Sequence, residues 1–140
     1  GDPTPAKERL LVQTGPSDAP LVLIIDDHVD GRETLSELLG AYGYRSVSLG
    51  TAREALEELD LLAPDAVIVD LGLPDMSGFE LASTLRGRRD VPVVAYTGYA
   101  DSTTHERARE AGCCAVLVKC VDTAMVLSTI EAVIGRRVAH

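Results

Sequence analysis

From Leu21 onward, short runs that are apolar throughout alternate with longer stretches in which apolar residues recur at helical spacing. Leu21 to Ile25, Ala66 to Val69, Val91 to Ala95 and Ala115 to Val118 are continuous and rich in β-branched residues, the pattern of strands covered on both faces. Tyr44 to Leu49 alternates instead, which predicts an edge strand with one wetter face. Between the runs, helical spacing joins Leu35, Leu38, Leu39 and Tyr42, then Ala52, Ala55, Leu56 and Leu59, then Phe79, Leu81, Ala82 and Leu85. Ala108 with Ala111, and Met125, Val126, Ile130, Val133 and Ile134, supply the last two helices. Thr51 followed by Glu54 is a capping-box pattern, and Gly43, Gly87, Gly112 and Gly135 stand where helices are expected to end. Met76 and Met125 read as loop and core filler. Five strands alternating with five helices define an α/β domain: a parallel sheet with right-handed crossovers and helices on both faces.

The first twenty residues break this pattern. Gly1 to Pro20 carry four Pro and two Gly among polar residues, with room for one helical turn at Arg9 to Val12, and read as a linker or tag remnant. The expected organisation is therefore a linker over 1–20, one domain over 21–135 and a short tail over 136–140. A chain of 140 residues supports one such core without disulfide or metal staples.

Charge narrows the function. Thirteen basic against 22 acidic residues leave a net −9, and Arg86 to Arg89 and Arg136-Arg137 are the only basic clusters, so direct contact with nucleic acid or anionic membrane is not expected. Aromatic residues are 4% with no Trp, too few for a base-stacking platform. No apolar run is long enough to span a bilayer and none marks a signal peptide, which points to a soluble, cytoplasmic protein. Three Cys without a C-x-x-C spacing give no metal or redox motif; Cys113 and Cys114 read as small hydrophobes of a buried strand, and no role is assigned to Cys120. His28, His105 and His140 are isolated, with His105 on the exposed face of a helix.

In open parallel sheets, ligands bind beyond the carboxyl ends of the strands. There the chain places Asp26-Asp27, Asp70, Thr97 and Lys119. Each alone has an ordinary alternative, since Asp and Thr cap helices and a lone Lys is usually solvated. Together they put three carboxylates, a hydroxyl and an ammonium at one sheet edge. Lys119 stands out, because the chain has eleven Arg and only one other Lys, Lys7 in the linker. Three neighbouring carboxylates repel one another unless a hard divalent cation and the Lys neutralise them, and Mg²⁺ suits such a site.

These residues resemble the receiver domain of two-component response regulators, from about Leu21 to Ile134. Asp26-Asp27, Asp70 in VIVDLGLPDMSGFEL, Thr97 in VVAYTGY and Lys119 in AVLVKC fall in that family's order and spacing. The resemblance implies the flavodoxin-like, doubly wound sheet of strand order 2-1-3-4-5. It implies that Asp70 accepts a phosphoryl group from a histidine kinase or a histidine phosphotransfer protein, with no enzymatic activity beyond its own phosphorylation and dephosphorylation. Mg²⁺ is then held by Asp27, Asp70 and the backbone carbonyl of Gly72, with Asp26 acting through water. Thr97 and Lys119 address phosphoryl oxygens, while Pro74 and Gly78 shape the loop after Asp70.

Two positions depart from the family. Val116 stands where many receivers carry the aromatic residue of their switch, which leaves Tyr99 as the nearest aromatic in the loop after Thr97. Cys120 replaces the usual Pro after the Lys, so the Lys119-Cys120 bond is expected to be trans. An Asp-nucleophile phosphohydrolase is disfavoured by Gly72, where its second Asp belongs, and a flavin or nucleotide carrier by Asp26-Asp27-His28 in place of a phosphate loop. GLPDMSGFELA, TGY and LVK look most like receivers at the C-terminus of hybrid sensor histidine kinases. A free-standing chemotaxis-type receiver, a docking module with a degenerate switch, and a homodimer remain alternatives.

Overall fold

The computed structural model describes residues 19–119 and 122–138, the last three by backbone alone. Its elements run β1 (Leu21–Ile25), α1 (Val29–Ala41), β2 (Arg45–Leu49), α2 (Ala52–Leu62), β3 (Ala66–Asp70), α3 (Gly78–Arg88), β4 (Val93–Thr97), α4 (Ser102–Glu110), β5 (Ala115–Val118) and α5 (Thr123–Val138). The five strands pair in the order β2-β1-β3-β4-β5, all parallel. This is the flavodoxin-like arrangement that the resemblance implies. Among the described residues no helix is long and apolar enough to cross a membrane.

Continuous apolarity has a direct structural cause, because successive side chains of a strand enter opposite layers. Leu21, Leu23, Ile25, Val67, Val69 and Val93 join Ala52, Ala55 and Leu59 of α2 and Leu81, Ala82 and Leu85 of α3 in one core. Val22, Ile24, Ala66, Ile68 and Val94 face the other way, onto Leu35 and Leu39 of α1 and Val126, Ile130 and Val133 of α5. β1 and β3 are buried along their whole length. The helix α4 is held far more lightly, with Ala108 as its one buried residue.

Several expectations are corrected. Cys113 and Cys114 precede β5 instead of lying in a buried strand: Cys114 is exposed and Cys113 half-buried. β5 itself closes the sheet edge beyond β4, so only Leu117 is fully buried and its apolar run does not mean cover on both faces. β4 begins at Val93, with Val91 buried ahead of it. Gly87 lies inside the last turn of α3, and Gly135 lies within α5, which runs on to Val138. A glycine inside a helix costs only about 1 kcal/mol relative to alanine, which the packing of Val133 and Ile134 against the sheet outweighs. Gly43 and Gly112, by contrast, follow their helices with φ of 89° and 94°, where glycine is free of Cβ strain. Met125 is 52% exposed and is not core filler. Expectations for residues 1–18, for Cys120 and its bond to Lys119, and for His140 lie outside the described residues.

Candidate functional site

The strand registers bring the candidate residues together. Ile25 pairs with Val69, Asp70 with Tyr96, and Thr97 with Val118, so Asp26, Asp70, Thr97 and Lys119 leave the sheet at one edge. Backbone bonds extend the pairing past the strands, from Asp26 N to Leu49 O (3.0 Å) and from Leu71 N to Tyr96 O (2.9 Å).

Asp70 is 3% exposed. Its Oδ1 accepts a hydrogen bond from Gly72 N at 2.9 Å, and its Oδ2 accepts one from Lys119 Nζ at 3.1 Å. The same ammonium lies 3.9 Å from Asp26 Oδ2 and 5.3 Å from the centre of the Tyr96 ring. Asp26, 1% exposed, turns its Oδ1 to the backbone N–H of His28 at 3.0 Å. Asp27 completes the acidic group at the rim. Thr97 shares the edge, but its hydroxyl donates to Tyr99 O at 3.0 Å and is not turned to the carboxylates.

Burial acts on the two inner carboxylates with opposite results. Desolvation, with the Asp70 charge added, raises the Asp26 carboxyl above its ordinary value despite the His28 N–H. Desolvation also works against ionised Asp70, but the Gly72 N–H, the neighbouring Asp26 carboxyl and the Lys119 ammonium outweigh it and hold Asp70 below its ordinary value. Lys119 is likewise desolvated, yet Asp70 and Asp26 raise it, so it stays charged. The site thus keeps one buried carboxylate anionic beside a fixed cation.

The donor set fits a divalent cation. Asp26 Oδ2 and Asp27 Oδ1 are buried without a hydrogen-bond partner, an arrangement that normally marks a missing positive group. Ligand atoms of Asp26, Asp27, His28 and Asp70 all lie within 4.8 Å of one another.

The loop that follows Asp70 is anchored twice. A Cβ on Gly78 would lie 2.5 Å from Leu71 Cα and 2.8 Å from Asp70 O, so only glycine lets α3 start this close to the phosphoacceptor candidate. Asp75 accepts hydrogen bonds from Ala52 N and Arg53 N, both at 3.1 Å, and so caps α2 from a distance while Thr51 takes Glu54 N. Three residues at or beside the site escape sequence reasoning. His28 gives no ligand spacing, although its place beside Asp26-Asp27 is a usable signal; Tyr96 and Asp75 stand inside the motifs VVAYTGY and VIVDLGLPDMSGFEL, and the sequence assigns neither a role.

The fold and this edge are those of a phosphorylation-type signalling module, and the whole-chain comparison agrees. Residues 22–131 match the family model of the response regulator receiver domain. The chain belongs to that family, a family of two-component signalling. Among curated relatives it is 36% identical over 116 residues to the transcriptional regulatory protein PdtaR of Mycobacterium tuberculosis, covering 82% of this chain and 57% of that protein. The chain therefore spans little more than half the length of that relative. It is 32% identical over 120 residues to the polar-differentiation response regulator DivK of Brucella ovis, covering 81% of this chain and 95% of DivK. Among solved structures, a CheY-like receiver from Methanospirillum hungatei superposes with a TM-score of 0.81 at 26% identity, covering 86% of this chain and 97% of that one. The chemotaxis protein CheY4 of Vibrio cholerae does so with 0.79 at 26% identity, covering 82% and 98%.

Proposed function

We propose that the domain accepts a phosphoryl group on Asp70 from the phosphohistidine of a histidine kinase or a histidine phosphotransfer protein. The observation that carries this reading is a carboxylate 3% exposed yet held ionised, within 3.1 Å of an ammonium, at the edge where four strands end. In the step, an Asp70 oxygen attacks phosphorus, the P–N bond breaks, and the electron pair stays on the leaving nitrogen, which departs as neutral imidazole because the other ring nitrogen of the donor carries a proton taken from solvent. Lys119 offsets charge on the transferred group, and Thr97, once its hydroxyl leaves Tyr99 O, addresses another phosphoryl oxygen. Asp27, Asp70 and the Gly72 carbonyl would hold Mg²⁺, with Asp26 acting through water, and the ion would supply charge neutralisation on the phosphoryl oxygens.

A partner reaches Asp70 from above the sheet edge. There a groove of ≈ 330 Å³ is lined by residues that include Leu35, Leu38, Tyr96 and Val126, and the exposed Val29 and Met125 stand next in sequence to its lining residues Asp30 and Val126. This reading places the domain in the cytoplasm, without nucleic acid or membrane contact of its own. The motif stretches favour attachment to a hybrid sensor kinase. A second reading, a free-standing receiver, is favoured by the near-complete coverage of DivK, and the coding sequence upstream of Gly1 separates the two.

Incubation with acetyl phosphate, with and without Mg²⁺, tests the phosphoacceptor. Intact mass is expected to rise by one phosphoryl group only with Mg²⁺, and not at all in Asp70→Asn. Full labelling of that variant overturns the assignment.

A further inference from the structure

We propose that His28 is a nitrogen ligand of the cation site, which makes it a mixed nitrogen and oxygen site that favours a late first-row divalent cation such as Co²⁺, Ni²⁺ or Zn²⁺ over Mg²⁺. The inference rests on the reading that the acidic cluster holds a cation at all. Its first observation is the position of one ring nitrogen. His28 Nδ1 lies 3.2 Å from Asp26 Oδ1, 3.3 Å from Asp27 Oδ1 and 3.8 Å from Asp70 Oδ2. Donors bonded at about 2.1 Å to one octahedral ion are separated by about 3.0 Å along an edge and about 4.2 Å across the centre. The distances to Asp27 and Asp70 fall in that interval, so the imidazole can join these two carboxylates on one ion with small adjustments, while the 3.2 Å contact is a hydrogen bond between the ring and Asp26 Oδ1.

The second observation is independent of the ring. Asp26, 1% exposed, keeps Oδ2 buried without a hydrogen-bond partner, and Asp27 Oδ1 is in the same condition. A histidine that merely covered the acidic group bonds Asp26 through Oδ1, as the ring does here, and leaves both of these atoms without a hydrogen bond; at 67% side-chain exposure such a pair is worth little. Affinity for an imidazole-containing site rises along the first-row series, whereas Mg²⁺ prefers oxygen and retains water. Removing the nitrogen should therefore act on one class of cation and spare the other.

Calorimetric titration of the whole chain with MgCl₂ and with CoCl₂, for the wild type, His28→Ala and His28→Gln, tests this. The expected result is that both variants lose about tenfold or more in Co²⁺ affinity, in line with the imidazole preference of late metals, while Mg²⁺ affinity changes less than about twofold. Co²⁺ should also shift the His28 ring resonances and change the visible cobalt bands of the wild type but not of the variants. Equal losses for the two cations, or no loss of Co²⁺ affinity, overturn the proposal. Tighter binding of both cations in the variants also overturns it, since that is what removal of a competing imidazolium produces. Failure of the wild type to bind Mg²⁺ instead refutes the underlying cation site, and Co²⁺ binding that survives in Asp27→Ala with Asp70→Asn places that metal elsewhere and overturns the His28 assignment.

Discussion

Two buried carboxylates a few ångströms apart are driven in opposite directions by what each touches. Asp70 has the Gly72 N–H and the Lys119 ammonium, while Asp26 has one backbone N–H and faces another carboxylate. A carboxyl raised in the folded state favours folding below its unfolded value, and that contribution is lost as pH rises through the folded value. Ionised Asp26 is therefore a burden on the metal-free fold at neutral pH. Asp26→Asn should raise the melting temperature at pH 7 without divalent cations, by on the order of 4 °C for each kcal/mol gained in a domain of this size. The gain should vanish in acid, where Asp26 is already neutral. Asp70→Asn should bring no such gain, because it removes the partner of Lys119. Thermal melts of both variants at pH 7 and pH 4 check this, and a destabilised Asp26→Asn at pH 7 contradicts it. At this scale Asp26, Asp27, Asp70 and Lys119 were legible because each follows directly on an apolar strand run. His28 was not, because a single imidazole becomes a neighbour of three carboxylates only when β1 and β3 lie side by side.

Elements show a similar division between local and distant causes. Thr51 and Glu54 announce the start of α2 locally, but Asp75, 23 residues from Ala52, completes its cap. The Ala52 and Arg53 N–H groups hold the Asp75 carboxyl below its ordinary value. Its stabilisation is thus present above the ordinary carboxylate value and lost as pH falls through the lower folded one. Asp75→Ala should destabilise the domain at pH 7 by about 1 kcal/mol, a typical helix-cap loss, with the difference shrinking toward pH 3. Urea unfolding at the two pH values measures it; a difference that is absent at pH 7 or grows on acidification contradicts the cap. Local patterning also failed for β5, whose cover depends on which strand lies beyond it, and for Gly135, where packing overrides propensity. At α4, whose one buried residue is Ala108 and whose Arg107 rests on the Phe79 ring, the Thr97 hydroxyl must leave Tyr99 O before it can meet a phosphoryl group. With Val116 in place of an aromatic residue, that exchange is the available route outward. Beryllofluoride with Mg²⁺ should shift the amide resonances of Gly98 to Ser102 more than those of β2, and Thr97→Ala should abolish the excess. Shifts confined to residues around Asp70 contradict the route.

For the whole molecule, the fold serves to align strand ends. Two apolar layers, α2 with α3 and α1 with α5, fix the sheet so that residues from distant parts of the chain meet at its edge. The strand order was within reach of the sequence only through the family motifs, since alternation of strand and helix permits several orders; the parallel pairing then follows from the length of each crossover. The central claim is that this alignment makes Asp70 the phosphoacceptor. Its most direct test is reduction of the acetyl-phosphate-treated, Mg²⁺-loaded domain with borohydride, which converts an aspartyl phosphate to homoserine, followed by peptide mapping. The predicted result is homoserine at position 70 and unmodified residues at 26 and 27; homoserine at 26 or 27, or none at 70 in protein whose intact mass shows the added phosphoryl group, would contradict the account.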